Sequence, residues 1–168
     1  MDPTRIRRAT IADAETLYDI SRSVHLGELY RRLIPDEHYA RFRADYTPSN
    51  VKRNRYSTRL SRHLADPAWC YWVAEQSGAI TGFIATVDID RTRHLQGLFV
   101  RSEHQGQGIG RRLLLNALAV PGCDKFYLEV LTSNQAAIKL YQTAGFETDT
   151  VSISRVFYGA RLTAMAIH

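Results

Sequence analysis

Residues 98–115 read "LFVRSEHQGQGIGRRLLL". A short apolar run ends in a polar turn, glycines follow at 106, 108 and 110, and a leucine-rich segment of helical texture completes the stretch. Glycine permits left-handed backbone and lets a ligand approach with no Cβ in the way. A helix N-terminus adds unpaired N–H groups and a partial positive charge. Strand, glycine turn and helix in that order make a seat for a pyrophosphate. Two common phosphate loops do not fit. A Walker A loop needs Gly-Lys-Ser/Thr, which is absent, and in a dinucleotide fingerprint the third glycine falls one position later than Gly110, within a βαβ unit.

Upstream, "WCYWVAE" (69–75), "ITGFIATVDID" (80–90) and "HLQGLFV" (94–100) are rich in aromatic and β-branched residues and read as a three-stranded meander. Before them, "RIRRA" (5–9) reads as a strand. "TIADAETLYDISRSV" reads as a helix capped by Thr10, with Asp13 three residues on and Ala14, Leu17, Ser21 and Val24 on one face. Residues 34–46 and 48–67 read as further helices, the second opening with Pro48. Downstream come a helix at about 109–120, a strand "FYLEV" (126–130), a helix "NQAAIKLYQTAG" (134–145) and two strands joined near Tyr158-Gly159. With the front helices grouped, the order β-αα-βββ-α-β-α-ββ describes an α/β protein with a mixed sheet, not a doubly wound one.

The chain has 168 residues, 45% hydrophobic and 23% charged, which suits one globular domain burying about 70% of its unfolded surface. No apolar run approaches the ~20 residues of a membrane span, and the first residues lack the apolar core of a secretory signal. Cys70 and Cys123 are too few for a disulfide framework and have no metal spacing, so they are expected as reduced thiols of a cytoplasmic protein. The net charge of +5 favours anionic partners in general. The basic residues are scattered, apart from "KRNRYSTRLSR" (52–62), which reads as a solvated helix face in preference to a nucleic-acid surface. Neither a nucleic acid nor a membrane is expected as partner.

The second informative stretch is "LEVLTSNQAAIKLYQTAGF" (128–146). Asn134 and Tyr141 are seven residues apart, two helical turns, and share a face with about 20° of drift. Ala137 lies between them and is small enough for a ligand to rest against the helix, while Gly145 is a natural terminator. Taken alone, Tyr141 reads first as a half-buried packing residue.

The two stretches together resemble the GNAT superfamily of N-acetyltransferases. The acyl-CoA pattern Q/R-x-x-G-x-G/A corresponds to Gln105, Gly108 and Gly110 behind the strand "LFV", and L-x-V, Asn, a small residue and Tyr-x-x-x-Gly-Phe follow in 128–146. The resemblance spans roughly 5–167, with its specific motifs in 94–146. It implies a GNAT-like fold of one domain over 1–168, a mostly antiparallel twisted sheet of about seven strands flanked by about four helices. It also implies acetyl-CoA as cosubstrate with no metal, and it allows a homodimer. The implied CoA contacts are Leu98, Phe99, Val100, Gln105, Gly106, Gln107, Gly108, Ile109, Gly110, Arg111, Asn134, Ala137 and Tyr141. Asn134 would bond the pantetheine arm and Tyr141 would face the thioester sulfur. Arg101 and Arg112 are further phosphate candidates, with surface solubility as the competing role for all three arginines. "YRRLIP" (30–35) resembles the Y-x-G-L/I-I-P turn of one branch, with Arg32 where that turn has glycine.

The implied reaction is direct attack by an amine on acetyl-CoA within a ternary complex. Amines are mostly protonated at pH 7, so a base is needed. Glu129, in the "LEV" arrangement of the ribosomal-protein N-terminal acetyltransferases, competes with His94, which alternation puts on one strand face with Gln96, Leu98 and Val100. Ordered water is the third option. A backbone N–H near Val100 would meet the developing oxyanion. By the same resemblance the acceptor wall comes from 23–42 and the region of Tyr158, with Leu26, Tyr30 and Tyr158 as substrate contacts, while Phe42 and Leu33 read as packing. A small-molecule amine is the leading acceptor, a peptide or protein N-terminus the alternative, and a non-catalytic CoA-binding module the third reading.

Overall fold

The computed structural model describes residues 4–150 and 155–168. The expected domain 1–168 therefore includes seven residues, 1–3 and 151–154, that lie outside the described ones. The chain begins with strand β1 (Arg5–Arg8), a 3-10 turn at Ile11–Asp13 and helix α1 (Ala14–His25). Asp13 accepts from the Thr10 N–H at 2.8 Å and pairs with Arg7 at 2.8 Å, so the helix entrance is tied back to the strand. Residues 14, 17, 18, 21 and 25 are buried, the i, i+3, i+4 spacing of a helix laid on a sheet.

Three more helices precede the meander, where the grouped reading had room for fewer: α2 (Glu28–Leu33), α3 (Asp36–Tyr46) and α4 (Asn50–Ala65). Arg32 sits inside α2 with ordinary backbone, so the glycine of the related turn is not needed here. Pro48 does not open α4. Ser49 caps it, accepting from the Lys52 N–H at 3.2 Å.

The meander forms as β2 (Trp69–Gln76), β3 (Ala79–Ile89) and β4 (Thr92–Val100). β3 is buried from Ile80 to Val87 on both faces, which marks it as central, with helices above and below. Helix α5 (Ile109–Leu118), β5 (Lys125–Leu131), α6 (Gln135–Thr143), β6 (Glu147–Thr148), β7 (Val156–Phe157) and β8 (Ala160–Ile167) complete the chain. The strand order is β1-β2-β3-β4-β5-β8-β6, with β7 paired to β8 through the expected Tyr158-Gly159 turn. The six α-helices among the described residues exceed the expected four, all of the surplus lying between β1 and β2.

Every strand pair is antiparallel except β4 with β5. That parallel ladder ends at Leu95 and Leu128. Its end coincides with a bulge: Thr86 opposes Leu95 and Ala85 opposes Gly97, leaving Gln96 as the extra residue of β4. A bulge bends and twists its strand, and here β4 diverges from β5. The facing edges of 96–100 and 129–131 are left open to each other. One face of the sheet carries α1 and α4 on Leu17, Tyr18, Leu60 and Phe83, the other α5 and α6 on Ile84, Leu113, Leu114 and Met165. A third cluster, Ile34, Phe42, Leu131 and Ala160, joins the front helices to the last hairpin and accounts for Phe42 and Leu33 as packing.

Candidate active site

The divergence of β4 and β5 opens into a cleft of about 520 Å³. Leu98, Phe99, Glu129, Asn134, Ala137, Tyr141 and Tyr30 of the expected residues line it. Asn134 caps α6, its Oδ1 accepting from the Ala137 N–H at 3.3 Å, which leaves its NH2 group without an intrachain acceptor among the described residues. Tyr141 packs edge-on against Phe146, ring centroids 5.8 Å apart, and burial pushes its hydroxyl up to about 12. Gly145, φ +98°, ends α6 as expected.

The bulge reverses one expectation. Beyond Gln96 the alternation restarts, so His94 shares its face with Gly97 and Phe99, not with Leu98 and Val100. Leu98 and Val100 pack toward α5, while Phe99 turns toward α1 and meets the His25 ring at 5.2 Å. The His94 ring lies 5.2 Å from that of Tyr127, and His94 is not among the residues lining the cleft. Glu129 is. Its carboxylate accepts from the Tyr127 hydroxyl at 3.4 Å and pairs with Arg155 at 3.0 Å. Gly97 inside a strand pattern was the sequence signal for this bulge.

The glycine turn lies at the other end of the opening. Gly106 and Gly108 have φ +75° and +78°, and a Cβ on either would meet nothing within 4 Å. Gly108 caps α5, whose first-turn amides have no intrahelical acceptor. A Cβ on Gly110 would meet the side chains of Leu140, Val100 and Leu98 at 3.6–3.9 Å, so the helix start abuts the mouth of the divergence. Exposed left-handed backbone, free amides and an open strand edge fit a pyrophosphate followed by an extended arm. Gln105 organises this turn, its Nε2 donating to the Val100 carbonyl at 3.0 Å, and Gln107 donates to the Glu103 carbonyl at 3.3 Å. Ile109 is buried beneath the turn. Arg101 and Arg112 are committed elsewhere, to the carbonyls of Ile80 at 3.0 Å and Thr4 at 2.8 Å, whereas Arg111 is exposed on α5.

On the opposite face the cleft runs under the front helices. Its floor includes the cross-strand pair Ala85 and Gly97, with the Phe99 ring lying over Gly97 where a Cβ would clash with it. Its walls include residues the sequence did not reveal: Arg22 and His25 of α1, Arg59 and His63 of α4, and Trp69 and Tyr71 of β2. His63 stacks on Trp69 at 3.5 Å and bonds the Tyr71 hydroxyl at 2.8 Å. Of the other expected acceptor contacts, Leu26 caps the end of α1 outside the cleft. Tyr158 donates to Asp45 at 2.7 Å at the hairpin tip and does not line the cleft either.

His25 is buried among Tyr30, Tyr46 and Phe99, and its Nδ1 is 2.5 Å from the Ser21 carbonyl, which fixes the N–H there. Burial holds its pKa down at about 4. The unfolded chain therefore takes up a proton below pH ~6.5 that the folded one refuses until about 4. Stability from this residue is complete above pH 6.5 and falls by about 3 kcal/mol as pH drops to 4. Urea unfolding at pH 7.5 and 4.5 should show that difference narrowed in His25→Gln.

Comparison with known proteins agrees with this architecture. A model described as the acetyltransferase (GNAT) family matches residues 28–146. The chain is 35% identical over 103 residues to N-alpha-acetyltransferase RimI of Mycobacterium tuberculosis, covering 59% of this chain and 64% of that protein, just under two thirds of its length. In structure it is similar to the PaiA N-acetyltransferase of Thermoplasma acidophilum solved with coenzyme A, with a TM-score of 0.74, 21% identity, and 96% of this chain and 98% of that one covered. It is also similar to the spermidine N-acetyltransferase of Vibrio cholerae solved with CoA and spermine, with a TM-score of 0.73, 20% identity, and 98% and 94% covered. The family model alone spans well over half of the chain, and the chain belongs to the GNAT acetyltransferase family.

Proposed function

We propose that the protein transfers the acetyl group of acetyl-CoA to the primary amine of a small molecule by direct attack. The observation that carries this is the divergence of β4 from β5 at the Gln96 bulge, with the glycine turn at one end and Glu129, Asn134 and Tyr141 around its mouth. Bound acetyl-CoA supplies the thioester carbonyl. The ammonium first loses one proton to give the free amine, the amide C–N bond forms as the C–S bond breaks, a second proton leaves the nitrogen, and the departing sulfur becomes a thiolate.

Glu129 takes the amine proton, directly or through a water, since it is the carboxylate in the cleft wall. An N–H on the open edge of β4 near Val100 meets the oxygen that gains charge. The Tyr141 hydroxyl donates to the sulfur. At about 12 it is a weaker acid than a thiol at ~8.5, so full transfer of its proton costs about 5 kcal/mol. It acts by hydrogen bonding, and solvent supplies the thiol proton afterwards. Direct transfer is further supported by the cysteines: Cys70 and Cys123 lie outside the cleft lining, and burial raises both thiols, so neither is a ready thiolate nucleophile.

A small acceptor is favoured because the acceptor side is roofed by residues of four helices, α1 to α4. The second reading, a protein N-terminus, is favoured by the match to RimI and by Glu129 in its "LEV" setting. Free-thiol release from acetyl-CoA, measured with amino acids, amines, aminoglycosides and short peptides, separates them. Release with a small-amine class is expected, and release with peptides alone would replace the first reading by the second.

A further inference from the structure

Six arginines in this protein are neutralised at close range. Arg7, Arg31, Arg53, Arg91, Arg93 and Arg155 each meet a carboxylate at 2.5–3.0 Å. Arg22 and Arg59 differ. Among the described residues neither has an ion pair or a hydrogen bond, although both line the cleft. Arg22 is stacked between Tyr18 and Tyr46, its carbon 5.0 and 4.9 Å from the ring centres, and its Nε is buried with no acceptor. Arg59 lies over Tyr56 at 5.3 Å. They lie side by side in the cleft wall: Tyr18, under Arg22, and Tyr56, under Arg59, meet edge-on with ring centroids 5.5 Å apart. A buried, unsatisfied charged donor is costly, which makes such a site seek an acceptor. Glu129 is the carboxylate in the cleft wall, and Arg155 and Tyr127 already hold it.

We propose that the amine acceptor also carries an acid group, a carboxylate, and that Arg22 and Arg59 bind it while the amine lies beside Glu129. This rests on the acetyltransferase reading and narrows its substrate class. The amine end lies where β4 and β5 part, whereas Arg59 reaches in from α4, beside Tyr56 and toward Tyr71 on β2. β5 and β2 are three strand spacings apart, about 14 Å, part of which the arginine side chains bridge. The spacing favours an acid group several methylenes from the amine, an ω-amino acid, over one on the carbon bearing the amine. The aromatic rings of His25, Tyr46 and Phe99 give the intervening chain an apolar wall. A polyamine would set a second ammonium against two unpaired guanidiniums, so it is disfavoured.

Three amines of equal chain length test this: ε-aminocaproate with an anionic tail, hexylamine with a neutral one, and hexamethylenediamine with a cationic one. The expected order of kcat/KM for thiol release is aminocaproate, then hexylamine, then the diamine, with roughly tenfold or more between the first two. In Arg59→Gln, an exposed position where folding is safe, and in Arg22→Gln, that ratio should fall about tenfold. Equal rates, a preference for the diamine, or a ratio unchanged in both variants would overturn the assignment. Calorimetric titration of the CoA-loaded protein with ε-aminocaproate reads the site without turnover, and no binding there also overturns it. Binding that depends on both arginines, with no thiol release from any acceptor, supports the acid site and counts against the acetyltransferase reading alone.

Discussion

Glu129→Gln is expected to lower kcat by roughly 10²–10⁴ while leaving the melting temperature close to that of the parent. The amide keeps the shape of the carboxylate, with its one oxygen to accept from Arg155 and its NH2 to donate to the Tyr127 hydroxyl oxygen, so the end of β5 should hold its conformation. What it loses is the ability to take a proton from the attacking amine. The Arg155 side chain is 70% exposed, so its pair with Glu129 contributes little stability and yields readily to an incoming amine. His94→Gln supplies the contrast: outside the cleft lining, it should change kcat less than threefold, about 0.6 kcal/mol. Steady-state thiol release by both variants, with thermal melts, separates the two. A loss below tenfold in each would make ordered water the base.

The second large effect belongs to Tyr141. Tyr141→Phe removes the hydroxyl and keeps the ring that packs against Phe146, so the fold and the floor beside Ala137 are retained. A hydrogen bond to a departing thiolate is made chiefly in the transition state, and bonds to charged groups contribute ~1.5–3 kcal/mol. The expected loss is therefore roughly 10–100-fold in kcat, with KM for acetyl-CoA within about threefold. A variant that raised KM strongly at unchanged kcat would assign Tyr141 to binding.

Legibility from sequence followed how local each feature is. The glycine turn was readable because left-handed backbone at 106 and 108 is a demand made within a few residues. The α6 set was readable because Asn134, Ala137 and Tyr141 share one helix, whose spacing puts them on one side. β4 shows the limit. A single extra residue at Gln96 reversed the faces of everything after it, and strict alternation therefore set His94 with the wrong neighbours. Two arginines at the turn show a related limit: Arg101 and Arg112 reach carbonyls of Ile80 and Thr4, contacts fixed by sheet order. The acceptor wall was the least legible part. Arg22, His25, Arg59 and His63 come from two helices that meet only through tertiary packing, and "KRNRYSTRLSR" looks like a solvated face until Arg59 is found in the cleft wall.

Direct transfer between two substrates held in one cleft makes a kinetic statement that no single variant tests as well. Initial rates of thiol release, with acetyl-CoA and amine varied together, should give intersecting double-reciprocal lines and no release in the absence of amine. Parallel lines, or a stoichiometric burst of thiol from acetyl-CoA alone, would mean that the acetyl group first rests on the protein, and would contradict the account.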